Sequence, residues 1–264
     1  MLVLLRSLWS YRGFVVSSIR NEFKARFTRS KLGGLWMIIN PLAQVLIYAL
    51  VLSNVLAAKL PGIDNQYAYA LYLMAGILAW SLFFEVITRC LTLFIEQGNL
   101  MKKMAFPRIT LPAIVSGSCL LNHSLLFVAI LGVFTVLGHP PTWLALWLLP
   151  LMVILLALSL SIGMMLGIVN VFVRDVGQVV PIVLQTLFWF TPIVYPVSIL
   201  PENLQSLICY NPIYPLINAY QNILVFNQSP STESLLITTG LAFLFIIFSL
   251  FVFRRASPEM VDVL

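Results

Sequence analysis

The chain has 264 residues, a mean hydropathy of +1.00 and only 9% charged residues, a balance that excludes a soluble domain and points to a polytopic membrane protein. Its net charge of +6 does not point to nucleic acid, because Lys and Arg sit in short blocks beside apolar runs, the arrangement of membrane topology and anionic headgroups. Cys90, Cys119 and Cys209 have the spacing of neither a disulfide framework nor a zinc site and read as small apolar filler, and the Gly-Lys dipeptide of a phosphate-binding loop is absent, so no nucleotide site is expected in the chain itself.

Residues 1–35 form a basic lead-in. Val16, Ile19, Phe23 and Phe27 recur at helical spacing, with Arg12, Arg20, Lys24, Arg26, Arg29 and Lys31 around them, which predicts an amphipathic helix in the headgroup plane. It is either a surface anchor or a docking element for a partner. No cleavable signal peptide is expected, since the first long apolar run begins only near Trp36.

Six apolar stretches follow that suit spanning helices, at about 36–57, 68–95, 109–137, 143–172, 177–196 and 234–253. The fold class is therefore an all-α polytopic membrane protein of one domain, with a six-span bundle over 36–253 and a short tail at 254–264. Thirteen of the fifteen basic residues fall on one side of this topology: the seven from Arg6 to Lys31, then Lys102, Lys103, Arg108, Arg174, Arg254 and Arg255. Lys59 lies on the other side and Arg89 within a span. The excess of positive charge places both termini in the cytoplasm.

Polar residues run along several spans. Trp36, Asn40, Gln44 and Tyr48 repeat every fourth residue on the first, and Ser81, Glu85, Thr88, Arg89, Thr92 and Glu96 share a face of the second. Glu85 and Arg89 are an i,i+4 ion pair, serving either helix packing or the polar wall of a pathway. The third span carries Ser116, Ser118, Asn122 and His123, the last read as a satisfied hydrogen-bonding group; the fifth carries Gln178, Gln185 and Trp189. Between the second and third spans, Leu100, Met101 and Met104 offer soft apolar contacts beside Lys102 and Lys103, in a loop that is either a solvated connector or a partner surface.

From Phe188 to Phe226 the chain is too apolar for a solvated loop and too broken for a spanning helix, because Pro192, Pro196, Pro201, Pro212 and Pro215 interrupt it. Short helices at 202–209 and 216–226 are what remain. The segment is either a surface loop packed on the helices or a re-entrant lid over a polar conduit.

Four motifs in this order resemble one known family: Arg26 to Trp36 followed by Asn40-Pro41-Leu42; Lys102 to Pro107; Arg174-Asp175; and Phe190 to Pro196 through Leu200-Pro201 with Asn211-Pro212. They are similar to the permease subunits of type 2 ABC transporters that export polysaccharides, in the subgroup for O-antigen, capsule and teichoic-acid glycans. The resemblance implies a homodimer of six-span subunits in the bacterial inner membrane, working with two copies of a separate ATPase, so that this chain is a transport subunit with no cofactor of its own. The substrate it implies is a glycan on an undecaprenyl diphosphate carrier, most simply lipopolysaccharide O-antigen, moved from the cytoplasm to the outer face; capsule, teichoic acid or a small amphiphile are the alternatives.

By the same resemblance, residues 14–31 and 97–106 contact the ATPase, through Arg20, Lys24, Leu100, Met101, Lys102 and Lys103. Residues 197–226 form short outer gate helices, with Pro196, Pro201, Tyr210, Pro212 and Tyr214 at the gate. Sugar rings have apolar C–H faces and a hydroxyl rim, so aromatics and amides suit their passage, and many weak sites permit release. The candidate conduit residues are Trp36, Asn40, Gln44, Tyr48, Phe84, Glu85, Arg89, Trp189 and Tyr195, with Arg89 or the basic lead-in meeting the diphosphate.

Overall fold

The computed structural model describes residues 2–28, 33–56, 67–103, 106–208 and 210–263. Lys59, Met104 and Cys209 lie outside the described residues, as do the side chains of Phe27 and Tyr48. All regular structure among the described residues is helical: α1 (Leu2–Ser10), α2 (Arg12–Thr28), α3 (Trp36–Leu56), α4 (Ala68–Glu96), α5 (Gly98–Lys103), α6 (Thr110–Val136), α7 (Leu148–Phe172), α8 (Val176–Phe190), α9 (Glu202–Ile208), α10 (Tyr214–Leu224) and α11 (Thr232–Val263). Among the described residues, four stretches are long and apolar enough to cross a bilayer: α4, α6, Trp143–Phe172 and Thr232–Met260. Two further apolar helices are shorter, Ile38–Ile47 within α3 and the fifteen-residue α8.

Helix α4 is the centre. From Leu71 to Trp80 none of its residues is exposed, and a helix that is apolar all round belongs inside. Helix α7 crosses it closely because Gly163 and Gly167 leave room for Cys90: a Cβ on Gly167 would stand 2.2 Å from the Cys90 carbonyl oxygen. Small residues that let two backbones approach are the usual contact between helices in lipid. Asn170, one turn further along, donates to the Leu91 carbonyl at 2.8 Å and pins the far end of this seam. Helix α11 covers α7, with Phe253 against Phe94 at 5.9 Å between ring centroids, and turns Phe243, Leu244, Ile247 and Phe251 outward.

One end of the bundle is basic. Lys102, Lys103, Arg174, Arg254 and Arg255 are exposed there, and Arg108 Nη1 donates to the Ser257 carbonyl and, at 3.0 Å, to its Oγ. Residues 254–263, expected as a tail, are helical and continue α11 through Pro258. The preceding ladder holds this turn although Pro258 donates no bond of its own.

Helix α2 differs from the expectation of a helix lying only in the headgroup plane. It packs along α6, where Ile19 presses on Gly117 and Glu22 reaches into the bundle; Val16, expected on the same apolar face, is exposed.

The fifth apolar stretch was expected to run from 177 to 196, but helix α8 stops at Phe190. Pro192 and Pro196 cannot donate, so the ladder cannot continue. The carbonyls freed in this segment are met from α4 and α10. Tyr69 Oη donates to Val194 O at 2.7 Å, Tyr72 Oη lies 3.2 Å from both Pro192 O and Tyr195 O, and Gln221 Nε2 donates to Pro192 O at 3.2 Å. Buried backbone polar groups need partners, and these side chains supply them.

Helix α10 completes the support. Leu216, Ile217, Tyr220, Ile223 and Leu224 form a buried i,i+3/i+4 face against α4, α7 and α11, at a point where Gly76 has no side chain to obstruct Gln221. The Phe188–Phe226 segment thus divides into a buried half, around Ile193 and α10, and an exposed half around α9, where Leu204 and Leu207 face outward.

Candidate functional site

Helices α3, α4, α6 and α8 line a half-open cavity of about 740 Å³. Each contributes residues at helical spacing, so one face of each helix looks inward. From α3 come Trp36, Asn40 and Gln44; from α4 come Trp80, Ser81, Phe84 and Glu85. Helix α6 adds Asn122 and His123, and α8 adds Gln185, Phe188 and Trp189. The aromatic side of the wall is continuous: Trp80 meets Phe188 edge-on at 5.5 Å, and Phe188 meets Trp189 at 5.6 Å.

The polar side is wired to the basic end of the bundle. Asn122 Nδ2 donates to Glu85 Oε1 at 2.5 Å, and Arg89 Nη1 lies 3.7 Å from the same oxygen. Arg89 Nη2 pairs with Glu22 Oε1 at 2.6 Å, and Ser118 Oγ donates to Glu22 Oε2 at 2.8 Å. One chain of charge-assisted contacts therefore runs from α2 through Arg89 to the cavity wall, and such contacts are stronger than neutral ones. Arg89 itself faces a second, polar crevice of about 520 Å³ with Ser18, Glu22, Thr88, Thr92 and Gln97.

Helix α8 stands between two spaces. Its other flank borders an apolar groove of about 610 Å³ against Phe83, Ile162 and Leu166, closed by Asn211, Pro212 and Ile213. Its outward face of Val179, Ile182, Val183 and Phe190 is exposed.

Of the sequence-predicted conduit residues, Trp36, Asn40, Gln44, Phe84, Glu85 and Trp189 line one cavity, while Arg89 lies beyond it in the crevice. Tyr195 is elsewhere: its hydroxyl donates to Trp189 O at 2.7 Å and braces the end of α8. Tyr48 has only its helical backbone described. Among the gate residues, Pro196 precedes a short 3-10 turn at Val197–Ile199, and Pro201 accepts from Leu204 N and Gln205 N at the start of α9. Tyr210 is 85% exposed, Pro212 borders the apolar groove and Tyr214 opens α10. Arg20, Lys24, Lys102 and Lys103 are exposed, and Leu100 lines the crevice. Met101, expected as a soft surface contact, is instead buried in the core, because α5 continues directly from α4 and turns that residue inward.

Sequence reasoning missed two participants and misread a third. Trp80 sits one turn before Phe84 on the face already marked by Ser81 and Glu85, and that spacing was its signal. Glu22 is the one acidic residue in the basic stretch 1–35, and an isolated carboxylate there signals a specific partner. His123, expected to be satisfied, has no hydrogen-bond partner for either ring nitrogen among the described residues.

Residues 14–225 match the family described as ABC-2 type transporter. The chain is 30% identical over 240 residues to the O-antigen export system permease protein RfbA of Myxococcus xanthus, covering 89% of each chain. It is 27% identical over 250 residues to the protein of the same name from Klebsiella pneumoniae, covering 92% of each. Similarity to the polysialic acid transport protein KpsM of Escherichia coli is 24% over 193 residues, or 73% of each chain. With its bundle of apolar helices and a match across most of its length, this chain belongs to the ABC-2 type transporter family.

Proposed function

We propose that the chain is the transmembrane subunit of an ATP-driven polysaccharide exporter. It works as a homodimer with two copies of a separate ATPase in the bacterial inner membrane, and α3 and α8 complete six crossings with both termini in the cytoplasm. The cargo is a glycan on an undecaprenyl diphosphate carrier, carried to the outer face, with O-antigen as the first expectation and capsule as the second. The observation that carries this reading is the cavity itself: indole and phenyl faces beside amide, carboxylate and imidazole groups, on four helices of an otherwise apolar bundle. This is a surface on which sugar rings stack and exchange hydrogen bonds without a tight site that would stall a polymer. The export and transport roles for which these relatives are named support a polysaccharide, and the clustering of exposed basic residues at one end of the bundle supports the orientation. The lid role of residues 197–226 is part of the same reading, with the proline-broken segment resting on α4.

The experiment is deletion of the chain in its own cell, with surface glycan and lipid-linked glycan measured separately. Loss of the first with accumulation of the second is the expected result. Normal surface glycan in the deletion strain would overturn the assignment.

A further inference from the structure

The wall where α6 meets α10 carries polarity that the fold does not use. His123 is 2% exposed, and neither of its ring nitrogens has a hydrogen-bond partner among the described residues. Tyr220, on α10, is equally buried, and its hydroxyl is likewise without one. The two rings meet edge-on with centroids 6.4 Å apart. Buried polar groups left unmet cost stability, whereas apolar side chains of similar shape at both positions would remove the cost. A residue that burdens the fold and also forms part of a cavity wall fits a group waiting for a partner from that cavity; His123 stands in the wall beside Asn122 and Glu85, its two nitrogens covered until the wall shifts to admit the partner.

The chemistry of that partner follows from the imidazole. A neutral ring offers one N–H donor and one lone pair, and a hydroxyl or an acetamido group, which both donates and accepts, can meet either. A phosphate oxygen only accepts, and it would meet the Glu85 carboxylate in the same cavity; an ammonium only donates. We propose that His123 is a specificity-determining hydrogen-bond site for an uncharged hydroxyl or acetamido group of the cargo, with Tyr220 as the positioning residue that holds the plane of its ring. This deepens the glycan reading above and rests on it.

The test uses the full chain with its ATPase partner in its own cell, and the purified chain in lipid nanodiscs for melting. His123→Phe removes both nitrogens, His123→Gln keeps a donor and an acceptor, and Tyr220→Phe removes the second orphan. The expected result is that His123→Phe melts at or above the wild type while surface glycan falls at least tenfold, that His123→Gln restores it to within threefold, and that Tyr220→Phe shows a smaller loss with no fall in melting temperature. Unchanged export by His123→Phe overturns the proposal and leaves a buried water as the partner. A lower melting temperature in His123→Phe, or failure of His123→Gln to restore export, also overturns it by making the residue structural. If the wild-type chain itself moves no glycan, the glycan reading fails first; if the wild type exports and His123→Phe exports equally, the site alone fails.

Discussion

Replacing Gly167 by alanine adds one methyl group at the tightest point of the fold. The new Cβ would lie 2.2 Å from the Cys90 carbonyl oxygen and 3.1 Å from its carbon, both backbone atoms of the central helix. A backbone oxygen cannot rotate away, so α7 must retreat from α4 by about 1 Å to restore ordinary contact, loosening the seam that Gly163 and Asn170 also depend on. Overpacking of this kind costs roughly 1–3 kcal/mol, and the upper end applies because the obstacle is main chain. At about 2–4 °C per kcal/mol for a chain of this size, the expected fall is about 6–12 °C. Gly132→Ala is the matched control. It too lies within a helix, but nothing is found within 4 Å of its Cβ, so alanine there should be neutral or stabilising by up to about 1 kcal/mol. The assay is heating in nanodiscs with a thiol-reactive dye, on a Cys209→Ser background, since Cys90 and Cys119 are buried until the bundle opens. A Gly167→Ala protein that melts within about 2 °C of the wild type would refute the argument that the glycine is required by close helix contact.

Arg89→Leu strips Glu22 and Glu85 of their shared cation; because these side chains are 23–31% exposed, the cost should fall below the roughly 3–5 kcal/mol of a fully buried broken pair, and Glu22→Leu combined with it should cost less than the two single changes added together in the same melt. Reversal of Lys102 and Lys103 to glutamate, at exposed positions, should leave membrane insertion intact and lower ATPase activity of the assembled transporter; normal activity would remove α5 from the coupling path. Trp189→Ala should cut surface glycan severalfold with unchanged protein level, since half of the ring is exposed at the cavity; equal export by the variant would make it an interface anchor.

Much of the cavity was legible because the α-helix has a fixed period. Asn40 and Gln44, or Ser81 and Glu85, share a face whatever surrounds them, and polar groups in an apolar helix must turn inward. What the period cannot state is which faces meet. Arg89 was paired with Glu85, its neighbour in sequence, yet its shorter contact is to Glu22, sixty-seven positions away on another helix. Tyr69 and Tyr72 were not singled out in the sequence, and their role in meeting the carbonyls of Pro192, Val194 and Tyr195 depends on where a proline-broken loop lands. Gly163 and Gly167 carried no signal either, because a small residue on a lipid-facing helix and one at a tight crossing look the same in one dimension. Tyr195 lies apart from the cavity for a related reason: after Phe190 the backbone leaves the helix, and the i,i+4 rule no longer says where a side chain points.

The brevity of α8 has a consequence for the lipid around it. Fifteen residues at about 1.5 Å each make a rod of about 22 Å, against a hydrocarbon layer of about 30 Å. If α8 makes the fifth crossing proposed above, prolines forbid its extension at the C-terminal end, and the bilayer beside it thins to meet the buried turn at Thr191–Val194. Transport should therefore respond to acyl chain length, rising in thinner membranes that match α8 and slowing in thicker ones that force it to tilt less and strain more.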